Sequence, residues 1–98
     1  MFYRVVIRDE VHKDIQELSD YIFRFSFSQS IAKKVYDELY KVILSLNFMP
    51  EMYQKYLWEY RRVIVKGSYK IIYKIVESEK KVIIIRVVRT EMTNISFE

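Results

Sequence analysis

The chain has 98 residues, 51% apolar and 31% charged, and its 17 Lys/Arg against 13 Asp/Glu give a net charge of +4. That length predicts one domain, residues 1–98, around a single modest core. The lack of Cys excludes disulfides, cysteine nucleophiles and thiolate zinc sites, while one Gly and one Pro leave no glycine-rich phosphate loop and no flexible linker.

Tyr3-Arg4-Val5-Val6-Ile7-Arg8 reads as a short strand rather than a signal peptide, and no apolar run nears the roughly 20 residues that span a bilayer. A cytoplasmic location, with no membrane partner, is the expectation. Asp9 is placed to cap a helix in which Val11, Ile15, Leu18, Ile22 and Phe25 form one apolar stripe. Ser26 to Ser30 breaks the period, and a second stripe runs through Ile31, Val35, Leu39, Val42/Ile43 and Leu46. Two helices joined so briefly predict an antiparallel hairpin, its second arm ending before Met49-Pro50 because the residue before proline leaves the α region.

Residues 51–59 carry no period and are expected to be a loop. From Tyr60 the composition turns β-branched and aromatic, broken by Lys66-Gly67-Ser68 and by Glu77-Ser78-Glu79-Lys80. Tyr60–Val65, Tyr69–Val76 and Val82–Val88 therefore predict an antiparallel meander, the last strand apolar enough for the middle of a sheet. Thr90 to Glu98 reads as a polar tail. The order β-α-α-β-β-β predicts an α+β domain, with a helical hairpin packed on one face of a small, mostly antiparallel sheet.

Residues 1–58 hold 8 Lys/Arg and 8 Asp/Glu, residues 59–98 hold 9 and 5, so the whole excess lies in the last 40 residues. Position parity sorts Tyr69, Ile71, Tyr73 and Ile75 under the helices, and Lys70, Ile72, Lys74 and Val76 onto the other face. Lys70 and Lys74 would be joined there by Arg61 or Arg62, and by Arg86 or Arg89. Like charges gathered on one surface repel, and a polyanion or an acidic protein segment offsets that cost. Phosphate oxygens accept readily from such cations, which makes nucleic acid one natural ligand. The lone His12 reads as a surface residue, and Asp14, Glu17, Asp37 and Glu38 as solvated helix charges. No metal centre, no Ser-His-Asp arrangement and no cofactor are expected.

Three features resemble the RelE/ParE toxin superfamily: Asp20-Tyr21-Ile22 near the end of the first helix, the Leu46-Asn47-Phe48-Met49-Pro50 exit from the second, and Arg61-Arg62 followed by Tyr69-Lys70-Ile71-Ile72-Tyr73. The resemblance covers nearly the whole chain. It implies a growth-inhibiting toxin of the kind associated with plasmid stabilisation, held inactive by an antitoxin lying on its basic face. The target it implies is either DNA gyrase, in the ParE-like branch, or mRNA cleaved in the ribosomal A site, in the RelE-like branch of mRNA interferases. The long hairpin and the Phe48-Met49-Pro50 exit look more ParE-like.

In an RNA-cleaving member Lys70 would stand where the family's strand arginine steadies the scissile phosphate, without the planar fork of a guanidinium. Arg62 or Arg61 would hold the same phosphate or its neighbour, and Arg89 falls where members carry a histidine or basic residue. Glu51 and Glu91 are the loop and tail carboxylates left to act as base, since Arg89-Thr90-Glu91-Met92 offers no Tyr or His. Three outcomes are compatible with the sequence: a gyrase poison, sensitive to changes in the hairpin or tail; an endoribonuclease, sensitive at Lys70 and Arg62; or a non-toxic nucleic-acid-binding module.

Overall fold

A computed structural model describes residues 2–93 together with Ile95 and Phe97. Met1, Asn94, Ser96 and Glu98, the last three in the stretch read as a tail, lie outside the described residues. The elements are β1 (Arg4–Ile7), α1 (Asp9–Ser26), α2 (Gln29–Ser45), β2 (Gln54–Lys55), β3 (Tyr60–Val65), β4 (Tyr69–Val76) and β5 (Lys81–Arg89). They match the expected order, with the two-residue β2 added on the outer edge of β3. The sheet runs β1-β5-β4-β3-β2, with β1 parallel to β5 and the other pairs antiparallel.

Asp9 is the first helical residue rather than the cap. Arg8 holds the cap position without a side-chain bond, while Asp9 and Glu10 place negative charge at the helix's positive end. Ser28 caps α2, its hydroxyl accepting from the Ile31 N–H at 3.2 Å. The exit from α2 falls before proline as expected, Met49 taking a left-handed conformation ahead of a single 3₁₀ turn, Pro50–Met52.

Val11 and Ile15 of α1 and Val35, Leu39 and Ile43 of α2 pack on Val63, Ile71, Tyr73, Val82, Ile84 and Val87 of the sheet. Tyr73 is fully buried, and its hydroxyl donates to the Pro50 carbonyl at 2.6 Å, tying the loop after α2 to the sheet. The opposite face is not bare. Ile72, Ile85 and Val88 form a second small core there, covered by Tyr56, Tyr60, Ile83 and the tail residues Ile95 and Phe97.

Candidate functional site

Three of the expected cations share the face away from the helices. Arg62, Lys70 and Lys74 stand on it with the aromatic residues Tyr56 and Tyr60. The Tyr56 ring lies 5.0 Å from the Arg62 guanidinium carbon and 5.1 Å from Lys70 Nζ, so one π-system serves two cations. Arg62 also donates through Nε and Nη2 to Gln54 Oε1, at 3.2 and 3.1 Å. Tyr60 stacks on Phe97 with ring centroids 4.8 Å apart. Tyr56 and Tyr60 are the site residues that sequence reasoning missed. Their signal was the aromatic alternation Tyr56, Trp58, Tyr60 leading into the strand.

Lys70 holds the centre of this face but is only 3% exposed. Its ammonium donates to the Met92 carbonyl at 2.8 Å and to the Tyr56 hydroxyl at 3.3 Å. Both partners are neutral. A charge taken out of water and met only by dipoles recovers less of its hydration energy than one met by a carboxylate.

The other cations turn elsewhere, so the expected gathering of four or five on one surface does not form. Arg61 has the parity of buried Val63 and Val65, and donates from Nη1 to the carbonyls of Glu51 and Tyr53, at 3.0 and 2.8 Å. Arg89 lies with its guanidinium carbon 5.0 Å from the Tyr21 ring of α1 and its Nε 3.3 Å from Glu91. Arg86 pairs with Asp14, which overturns the reading of Asp14 as a solvated helix charge.

That pair has a cause in the sheet register. β1 covers β5 only from Lys81 to Ile84. Opposite Ile72 and Tyr73, β5 then carries one extra residue, Ile85, which shifts the parity of the remaining strand residues. Past the end of β1 the Asp14 carboxylate takes the vacant edge. It accepts from the Val87 backbone N–H at 3.0 Å and from Arg86 Nε and Nη2 at 2.8 and 2.9 Å. This bidentate bond holds the Arg86 guanidinium more firmly protonated than usual. Arg86, Val87, Val88 and Arg89 form one wall of a groove of about 670 Å³, opposite Asp14, Glu17 and Tyr21.

Glu51 does not meet Lys70. It lies on the helix side, where Tyr3 Oη is 3.2 Å from its carboxylate and 2.9 Å from that of Glu77. The bond to Glu77, then burial and the charge of Glu51, push the Tyr3 hydroxyl up to about 12. Glu77 is held below the usual carboxylate range, first by the Lys80 ammonium and then by Tyr3. Glu91 pairs with Arg89. His12 stays exposed, its Nδ1 2.6 Å from the Tyr40 hydroxyl.

The sequence matches, over residues 5–94, the profile of a family described as the ParE toxin of the type II toxin-antitoxin system parDE. No curated protein sequence matches it. Among solved structures, a chain of the chromosomal ParDE toxin–antitoxin system from P. aeruginosa superposes with a TM-score of 0.78 at 12% identity, covering 92% of this chain and 98% of that one. A chain of the RelBE2 toxin–antitoxin complex from Mycobacterium tuberculosis gives 0.63 at 19% identity, covering 94% and 95%. A mutant E. coli RelE toxin in the free state gives 0.63 at 17%, covering 93% and 86%. At these identities the likeness is one of fold.

Proposed function

The chain belongs to the ParE toxin family of type II toxin–antitoxin systems, and from that premise we propose that it arrests growth by blocking DNA gyrase and is neutralised by a cognate antitoxin. The observation that carries this reading is the burial of Lys70. In a RelE-like ribonuclease the cation at this place in the strand must reach a phosphate. Here it is 3% exposed, with its ammonium donating to the Met92 carbonyl and the Tyr56 hydroxyl.

Among the described residues no carboxylate or histidine pairs with Lys70, whose titratable partner is the Tyr56 hydroxyl at 3.3 Å. Glu51 bonds to Tyr3 on the other side of the sheet, Glu91 is paired with Arg89, and the single histidine lies on α1. General acid–base catalysis needs such a group within hydrogen-bond reach of the reacting hydroxyl. Inhibition by binding to a protein target asks neither for a free strand cation nor for a base.

The test is induced expression in a bacterial host, reading mRNA cleavage and the DNA damage response together for the natural protein and Lys70→Ala. The expected result is a damage response with intact mRNA in both. Cleavage within codons that disappears in Lys70→Ala overturns the reading in favour of a ribosome-dependent RNase.

A further inference from the structure

The face of the sheet away from the helices carries a further set of cations that does not involve Lys70. Arg4 of β1 lies directly opposite Lys81 of β5. Lys81 shares the parity of Ile83, which packs in the small core of this face, whereas Val82 and Ile84 belong to the helix side. Ile83 is opposite Lys74, Lys74 is opposite Tyr60, and Ile72 is opposite Arg62. One cation from each of four neighbouring strands, Arg4, Lys81, Lys74 and Arg62, therefore falls on one diagonal of the face. Strand spacing and rise make this line about 20 Å long, in steps of about 5 to 8 Å.

The packing does not call for such a line. Like charges directly opposite each other in a ladder are destabilising, yet Arg4 and Lys81 form such a pair. The strand positions on this face include no Asp or Glu. Among the described residues neither Arg4 nor Lys74 pairs with a carboxylate. Arg62 donates to the neutral Gln54 amide, and Lys81 meets Glu79 of the β4–β5 turn at 3.0 Å, in a partly exposed contact that contributes little. A polyanion laid along the diagonal offsets the repulsion.

The kind of anion follows from what the line lacks. The apolar residues of this face, Ile72, Ile83, Ile85 and Val88, are covered by the chain's own Ile95 and Phe97. An acidic protein segment on the diagonal would meet charge without a socket, whereas protein interfaces are organised round buried apolar or aromatic anchors and are poor in lysine. A phosphate backbone needs no socket. Duplex DNA carries roughly one charge per 1.7 Å of axis, so about a dozen phosphates pass along a line of this length, and Lys and Arg are the side chains that contact them.

We propose that Arg4, Lys81, Lys74 and Arg62 form a track for the phosphate backbone of duplex DNA, independent of the covered Lys70. The choice of duplex DNA over RNA rests on the reading above, in which the target is an enzyme that holds duplex DNA. A toxin seated on gyrase then grips protein and DNA together.

The test measures binding of the purified full-length protein to a short labelled DNA duplex, by fluorescence anisotropy at several salt concentrations. Four neutralised phosphates give a slope of log K against log salt of about −3.6, a loss of about 150-fold between roughly 50 and 200 mM. Arg4→Gln with Lys74→Gln is expected to unfold at the natural temperature and to bring the slope to about −1.8. Lys34→Gln with Lys41→Gln removes the same charge from exposed positions of α2 and is expected to leave the slope unchanged. No binding to the duplex, or an equal change in both double variants, overturns the track. So does tighter binding of single-stranded RNA of the same length, or of polyglutamate, which would make the occupant RNA or an acidic protein segment. The gyrase reading is scored separately by supercoiling. A natural protein that leaves gyrase unaffected, while its duplex slope still falls in the track variant alone, discards gyrase and keeps the track.

Discussion

Two buried charges on opposite sides of β5 are handled in different ways. Asp14, 8% exposed, meets a guanidinium in bidentate geometry and a backbone N–H left over where β1 ends. Lys70, buried still more deeply, meets a carbonyl and a hydroxyl. The first arrangement satisfies a sheet edge and belongs to the architecture. The second leaves a full charge against dipoles, which the fold does not require. Buried charge is thus poor evidence of a catalytic site until its partners are counted, and counting them here separates a structural ion pair from a lysine screened from phosphate.

Removing one member of each set sharpens the contrast. Asp14→Ala removes the carboxylate to which Arg86 and the Val87 N–H donate, and a loss of about 2–3 kcal/mol is expected by denaturant unfolding, at the lower end for a broken buried pair because Arg86 is partly exposed. Lys70→Met keeps the alkyl stem and discards the uncompensated charge. Its expected effect is between zero and about 1 kcal/mol of added stability. An equal, large loss in both variants would erase the distinction.

A smaller change concerns the hairpin, where Phe27 closes α1 in the left-handed conformation, φ 53°. Phe27→Gly is expected to add about 0.5–1 kcal/mol through relief of left-handed strain, read from the shift in midpoint at unchanged slope. The smallest effect is one of pH. Tyr3 has its pKa raised on folding to about 12, so its contribution is complete below the ordinary tyrosine value near 10 and is lost as pH rises towards 12. Glu77 has its pKa lowered, so its contribution is present above the ordinary carboxylate range and lost as pH falls through the depressed value. Tyr3→Phe removes the phenol from both balances. Between pH 10 and 12 the natural protein should lose stability more steeply than Tyr3→Phe, and parallel curves would remove Tyr3 from the account.

The helices and long strands were legible because their apolar residues repeat at helix or strand periods and their turns carry Gly, Ser or Pro. β2 was not, since two residues cannot show a period. Lys70 was assigned to the correct face by parity, yet parity says nothing about what lies over a face. The tail that covers it holds Met92, Ile95 and Phe97 at no regular spacing. Arg86 reaches Asp14 because β1 stops opposite Ile84 and leaves that edge of β5 open, a matter of strand length that the residues of β5 do not mark. Asp14 did carry a signal. It falls three residues after Val11 and four before Leu18, inside the apolar stripe rather than opposite it.

The proposal that this chain poisons a protein target and does not cut RNA is tested most directly with two purified reactions run side by side. One is DNA supercoiling by gyrase, the other mRNA on ribosomes stalled with an open A site, each with the natural protein and Lys70→Met. Supercoiling blocked equally by both proteins, with the mRNA left whole, is the predicted result. Cleavage of the A-site codon by the natural protein, abolished in Lys70→Met, with supercoiling unaffected, would contradict it.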